Sequence, residues 1–137
     1  MQQQHVDNVS TLIHFMEALD DRNFSMARFK HGCGAPSCAF GWACTIPALQ
    51  AQGLDATKLE EGLWPHHTAP DIFGTYHDLF ASRLQFSIET PQQWASHARE
   101  WLKKRGHEVT PQTPAQQGEF KTFLESLLRP LPATELA

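Results

Sequence analysis

The sequence lacks the features of secreted and membrane proteins. Its 137 residues include three cysteines, all between Cys33 and Cys44, which is a poor disulfide framework. No apolar run approaches the roughly 20 residues that a membrane span needs. Residues 1–5 do not place a basic segment before an apolar one, as a signal peptide does. We therefore expect a cytoplasmic protein whose thiols are reduced or bound to a metal, with no membrane as a partner.

The sequence also lacks a strong excess of positive charge. Eleven basic and fifteen acidic residues give a formal net charge of −4. The longest basic run is Lys103–Arg105, which is too short for the electrostatic footprint of a protein that binds duplex nucleic acid. Nucleic acid is therefore not an expected partner.

Common catalytic motifs are missing as well. The chain has no phosphate-binding glycine loop, no Gly-x-Ser-x-Gly turn and no His-Glu-x-x-His helix. Eight histidines are present, but none of them stands in a motif that marks a catalytic base. His66 and His67 follow Trp64-Pro65, and solvated loop histidines are the simplest interpretation of that pair.

What the sequence does contain is helical periodicity. Hydrophobic residues make up 41% of the chain, including nine Phe and four Trp. Residues 6–20 repeat apolar positions at helical spacing, and residues 91–105 follow a Thr-Pro-x-Gln capping box that begins at Thr90. Another helix is predicted to begin at Thr113-Pro114. The pattern predicts an all-α fold: one compact domain of about four to six helices over residues 1–132, with a loose tail at 133–137.

The middle of the chain is harder to divide into elements. A buried helix is predicted after Ser37, its expected N-cap, and Pro47 should kink or end it. Residues 64–70, which include Pro65 and Pro70, read as a loop. Residues 71–82 have helical spacing, and 84–88 are the sole candidate for a strand.

The most distinctive segment is the cysteine corner, defined here as residues 33–43. Glycines and a proline predict a tight turn that leads straight into a buried helix. Here the chain resembles a family of small bacteriophage and prophage proteins with the signature Cys-Gly-x-x-x-Cys-x-x-Gly-[Trp/His]-Ala, and the resemblance covers roughly residues 6–50. The residues that match it are Cys33, Gly34, Cys38, Gly41, Trp42 and Ala43.

Three interpretations of the corner remain open. The thiols are structural, packed under the helix that they precede. Alternatively, they bind zinc, with His31, Cys33, Cys38 and Cys44 as the candidate ligands. In the third interpretation Cys38 is a catalytic nucleophile with a histidine partner, because a helix N-terminus lowers a thiol pKa. We favour the structural interpretation and therefore expect no cofactor, with zinc as the alternative.

The resemblance implies a phage accessory protein, and such proteins often act in host takeover or against host defence. Our leading hypothesis is a non-enzymatic protein of the host bacterial cytoplasm that binds a host macromolecule or sequesters a small signalling molecule. The cysteine corner and Trp64, beside Pro65, are its candidate binding residues. The alternative is a small thiol- or zinc-dependent enzyme centred on Cys38. A homodimer is compatible with so aromatic a small domain.

Overall fold

Helices account for the secondary structure of the described residues. The computed structural model describes residues 1–20, 24, 38–54 and 65–128, except for the side chains of 65–67, 86, 127 and 128. Within these residues no strand occurs, and no helix is both long and apolar enough to cross a membrane. The elements are α1 (Gln3–Ala18), α2 (Ala39–Ala43), α3 (Pro47–Gln50), α4 (Pro65–Phe73), a π-helix (His77–Ala81), a 3₁₀ helix (Arg83–Ser87), α5 (Pro91–Lys104) and α6 (Pro114–Leu128). The predicted all-α single domain is confirmed.

Helix α1 lies at the centre of the fold and contacts α2, α4, α5 and α6. Its predicted apolar face is buried, including Val9 and Ile13. Asn8 and Ser10 lie off that apolar face, and both are also buried. Helices pack on several sides of α1, so its polar positions are covered too and need partners inside the protein.

The Asn8 side chain shows how such a position is satisfied. Its amide nitrogen donates to Oε1 of Gln52 and to the backbone oxygen of Ile72, both at 2.7 Å. Its amide oxygen accepts from the side chains of Gln4 and Gln52, at 3.0 and 2.9 Å. One buried side chain therefore joins α1 to the turn after α3 and to α4.

Helix α5 forms as predicted. The Thr90 hydroxyl accepts from the backbone N–H of Gln93 at 3.1 Å, and Oε1 of Gln93 accepts from the Thr90 N–H at 3.2 Å. Trp94 and Ala98 are fully buried. Gly106, with φ of +78°, ends the helix in a left-handed conformation that favours glycine.

Helix α6 also starts where predicted, since the Thr113 hydroxyl accepts from the backbone N–H of Gln116 at 3.1 Å. Phe120 packs edge-on against Phe15 of α1, with ring centroids 5.2 Å apart. The predicted stop at Pro130 and the tail at 133–137 lie outside the described residues.

Two predictions for the middle of the chain were wrong. Residues 65–70 are helical rather than looped, because Pro65 occupies the first helical position, where its missing N–H costs nothing. The helix predicted over 71–82 is interrupted at Gly74, whose φ of +78° ends α4, and the π-helix follows. Residues 84–88, the candidate strand, lie largely in the 3₁₀ helix.

The Asn8 network leads to a prediction about stability. Asn8→Ala removes the amide and leaves the Ile72 carbonyl without its buried donor, so we expect the free energy of unfolding to fall by about 2 kcal/mol. Urea unfolding followed by circular dichroism measures this. Gln3→Ala is the control, because Gln3 is exposed and bonds only to Asp7 on the surface of α1. Equal unfolding midpoints for the two variants would contradict the structural role of Asn8.

Candidate functional site

Cys38 is the described end of the cysteine corner, and it caps α2. Its Sγ accepts a hydrogen bond from the backbone N–H of Gly41 at 3.3 Å, and the residue is buried. The predicted N-cap was Ser37, so the helix begins one residue later than expected. The thiol takes the role that a Ser or Thr hydroxyl usually has at this position.

The residues that follow Cys38 are packed into the core. Gly41 and Trp42 are buried in α2, and the ring centroids of Trp42 and Phe15 are 5.8 Å apart. Cys44, the C-cap of α2, is 1% exposed. These surroundings support the structural interpretation of the described part of the corner. Four of the predicted site residues, and the turn between the two thiols, lie outside the described residues: His31, Cys33, Gly34 and Trp64.

The catalytic interpretation expected a lowered pKa for the Cys38 thiol, whereas the structure raises it. Burial raises the pKa of the thiol and outweighs the backbone N–H groups of Gly41 and Phe40, which lower it. Within the described residues no histidine ring hydrogen-bonds to Sγ. The half-buried Tyr76 also has a raised pKa, first because of burial and then because of the neighbouring Cys38. A protonated, covered thiol is a poor nucleophile.

Metal-ligating side chains are not clustered in the part of the chain that the structure describes. Residues 1–20, 24, 38–54 and 65–128 contain no group of three His, Cys, Asp or Glu placed to hold a metal ion. Of the predicted zinc ligands, these residues include only Cys38 and Cys44. The zinc hypothesis stays a prediction.

A second site lies where the start of α1 meets the ends of α4 and α5. It is an open pocket of about 530 Å³, which we call the terminal pocket. Its described lining residues include one guanidinium, two imidazoles and an indole, and none of them carries a carboxylate. The lining residues are Met1, His5, Pro70, Gly74, Trp101, Arg105 and His107.

Arg105 is held against one wall of the terminal pocket by three contacts. Its guanidinium carbon lies 4.0 Å from the centroid of the Trp101 ring, a cation–π geometry. Nη2 donates to Oδ2 of Asp78 at 2.9 Å, and Nη1 donates to the backbone oxygen of Trp101 at 3.3 Å. The same Oδ2 accepts from Nε1 of Trp101 at 3.0 Å, so one carboxylate fixes both groups.

The π-helix sets the position from which the Asp78 carboxylate contacts Arg105 and Trp101. Its wider turn is closed by the hydrogen bond from the Ser82 N–H to the His77 oxygen, at 2.7 Å. The Asp78 backbone oxygen then accepts from Nε2 of Gln85 at 2.9 Å, and it lies 3.1 Å from Nε2 of His97. Turns of this kind occur frequently at functional sites.

The two pocket histidines are positioned by the backbone around them. Nδ1 of His5 accepts from the Gln2 N–H at 3.2 Å in the first turn of α1, which leaves Nε2 for another partner. The His107 N–H bonds back to the oxygen of Leu102 at 3.0 Å, at the end of α5. The His107 imidazole makes no hydrogen bond to the described part of the chain and is half-buried.

Thr110 fastens the segment that carries His107. Its N–H donates to Oγ of Ser10 at 2.8 Å, its hydroxyl donates to Oδ1 of Asp7 at 2.7 Å, and its carbonyl lies 2.8 Å from Nε2 of His14. Every polar group of Thr110 thus has a partner on α1. These bonds fasten the connection between α5 and α6, which we call the strap, to α1 at a point three residues after His107.

Sequence reasoning did not identify the terminal pocket. Trp101 is a core residue at 7% exposure, although it also lines the pocket. Arg105 ends the short basic run at the end of α5, and its guanidinium donates to the Trp101 carbonyl there. The Asp78–Arg105 spacing of 27 residues carries no local signal, so only the fold brings these groups together.

Comparison of the chain with family models, with curated proteins and with solved structures finds no match. The site must therefore be interpreted from its own chemistry.

The state of Cys38 leads to a prediction about reactivity. Because burial holds the thiol protonated, we expect no alkylation of Cys38 by iodoacetamide in the folded protein at pH 6 and only slow alkylation at pH 8. The same reagent should modify it fully in 8 M urea. Peptide mass spectrometry reads out the modification at this position alone. Rapid, stoichiometric alkylation of folded protein at pH 6 would instead indicate an activated thiolate.

Gly74 allows a matched test of the pocket wall. A methyl group built at Gly74 would lie 3.1 Å from Nδ1 of His5, whereas one at Gly53, which also has positive φ, would contact nothing within 4 Å. We expect Gly74→Ala and Gly53→Ala each to cost about 1–2 kcal/mol of stability, because alanine is strained there. Only Gly74→Ala should shift the NMR signals of the His5 ring. Unchanged His5 signals in both variants would show that Gly74 does not position this ring.

Proposed function

We propose that this chain is a non-enzymatic binding protein that sequesters a small anionic molecule in the terminal pocket. The observation that carries the proposal is the composition of the described lining: a permanent cation at Arg105, imidazoles at His5 and His107, and no carboxylate among these residues. In a chain with a net charge of −4, the described lining residues thus carry a permanent positive charge and no negative one. Convergent polar groups in a preformed concave site are typical of ligand binding.

A small ligand is favoured over a macromolecular partner by two observations. The pocket volume of about 530 Å³ is within the range of small-molecule sites. In the described residues, Met1 and Leu84 are the large hydrophobic side chains that are exposed, and they form no broad apolar patch for a protein interface. Of the two activities expected from the sequence, sequestration is therefore the better supported.

The pocket chemistry supports binding rather than catalysis. Among the lining residues that the structure describes, none is a Ser, Thr, Cys, Lys, Asp or Glu that would serve as a nucleophile or carboxylate base. The alternative, a thiol enzyme at Cys38, is weakened by the burial and raised pKa of that thiol. A zinc-dependent form of that alternative depends on His31 and Cys33, which lie outside the described residues.

The signature at Cys33–Ala43 supplies the biological context of the proposal. As a phage-type accessory protein in the cytoplasm of a bacterial host, the chain would withdraw a signalling molecule from a host pathway. Host takeover and suppression of defence are both served by such withdrawal. The described part of the cysteine corner would then support the fold while the terminal pocket binds the ligand.

Arg105→Gln tests the proposal, because it removes the cation and keeps a polar side chain. The probes are inorganic phosphate, ribose 5-phosphate, AMP and benzoate, titrated by isothermal calorimetry. A lost charge-assisted hydrogen bond is worth about 1.5–3 kcal/mol, so we expect affinity for the probes that bind to fall about tenfold or more. Lys104→Gln is the matched control; Lys104 is the exposed last residue of α5, does not line the pocket, and carries the same charge.

Two results would contradict this function. One is that none of the four probes binds with a dissociation constant below about 1 mM, the weak end of specific recognition. The other is that Arg105→Gln and Lys104→Gln weaken binding equally, which would indicate attraction by the general surface charge and not by the pocket.

A further inference from the structure

The wall formed by Trp101, Arg105 and Asp78 has a more specific geometry than anion binding requires. A flexible lysine would supply the same charge, but here the central carbon of a planar guanidinium lies over an indole ring, 4.0 Å from its centroid. Oδ2 of Asp78 accepts from both groups, at 2.9 Å from Arg105 and 3.0 Å from Trp101. The two planes are therefore held together by one acceptor, and we call this pair the stacking platform.

The stacking platform leaves one face of the guanidinium uncovered. Trp101 lies on one side of the guanidinium carbon and is 7% exposed, whereas the Arg105 side chain is 40% exposed and lines the terminal pocket. A guanidinium has five N–H donors, and the described contacts use one on Nη1 and one on Nη2. The outer face can stack against a ring, and the unused donors at the edge can bind an acidic group.

The remaining lining places further hydrogen-bonding groups within the same volume. His5 and His107 line the same pocket as Arg105 and Trp101, and the ring nitrogen of His5 that bonds to the Gln2 N–H is Nδ1. The pocket therefore offers both the planar cation of the platform and separate hydrogen-bonding groups. A bare inorganic anion would bind to the hydrogen-bonding groups and would leave the plane of the cation without a contact.

We infer that the ligand of the terminal pocket carries both a flat unsaturated ring and an acidic group, the ring stacked on the platform and the acid bound by Arg105 N–H groups and the pocket imidazoles. This inference rests on the proposed function and names its ligand class. Nucleoside monophosphates and aromatic carboxylates share this chemistry. Asp78 acts as a positioning residue, because it touches the platform and does not line the pocket.

Two matched pairs of probes isolate the contribution of the ring. AMP is compared with ribose 5-phosphate, and benzoate with cyclohexanecarboxylate, so that each pair keeps the acid and removes the flat ring. We expect the ring-bearing member of at least one pair to bind about tenfold more tightly, as is typical when a ring stacks on an aromatic or guanidinium plane. The pair with the larger ratio identifies the ligand as nucleotide-like or as an aromatic carboxylate.

Arg105→Lys is the decisive variant. It keeps the charge and loses the plane, so the affinity ratio within the responding pair should fall to about one, while ribose 5-phosphate or cyclohexanecarboxylate loses less than about threefold. Asp78→Asn should lower the same ratio, because it weakens the hold on both planes without touching the ligand. Lys104→Arg is the control and should leave the ratio unchanged. Thermal unfolding of each variant verifies that the fold is retained.

The outcomes separate this inference from the proposed function. If ring-free and ring-bearing probes bind equally well to the wild type, the platform does not select a ring, although anion binding stands. If the ratio persists in Arg105→Lys, the ring is bound elsewhere and the inference is wrong. If no probe binds at all, the proposed function fails together with it.

Discussion

The burial of α1 is the constraint on which the rest of this structure depends. A helix that is covered on several sides has no solvent-facing side on which to place all its polar residues, so each buried polar group needs a partner. Asn8 meets this need by bonding to Gln52 and to the Ile72 carbonyl, and Ser10 meets it by bonding to Thr110. These bonds fix the positions of α4 and of the strap around α1. The walls of the terminal pocket come from the same segments. The pocket geometry therefore depends on the hydrogen bonds that satisfy the buried polar groups of α1.

Much of the fold could be predicted because its strongest signals are local. The Thr90 and Thr113 caps lie within four residues of the groups that they satisfy, and the structure confirms both. Prolines caused the main errors, since Pro65 reads equally well as a loop residue and as the first residue of a helix. The burial of Asn8 was missed for a different reason. Helical periodicity shows one apolar face and contains no information about helices that pack over the opposite face.

The candidate site, unlike the helix caps, depends on contacts between residues that are far apart in the sequence. The cysteine corner is conspicuous in the sequence because its residues are close in the chain, yet its described end at Cys38 is a buried helix cap. The terminal pocket combines His5, Gly74 and Arg105, which are far apart in sequence and unremarkable one by one. Arg105 looked like an ordinary C-terminal charge, and only the π-helix, which no periodicity predicts, brings Asp78 to it. A motif search therefore does not find a site whose residues come together only through tertiary contacts.

The stacking platform also explains how a small acidic protein can offer a site to an anion. Asp78 neutralises much of the Arg105 charge, and this would weaken a purely Coulombic site. It also removes the conformational freedom of the guanidinium before any ligand arrives, so less entropy is lost on binding. Asp78 thus fixes the orientation of the guanidinium and reduces the effect of its charge. A ligand benefits from this only if it contacts the plane of the guanidinium. An inorganic anion gains little from it, whereas a ligand with a flat ring gains a prepared surface. The Asp78 contact is thus an argument for a ring-bearing ligand that is independent of the shape of the pocket.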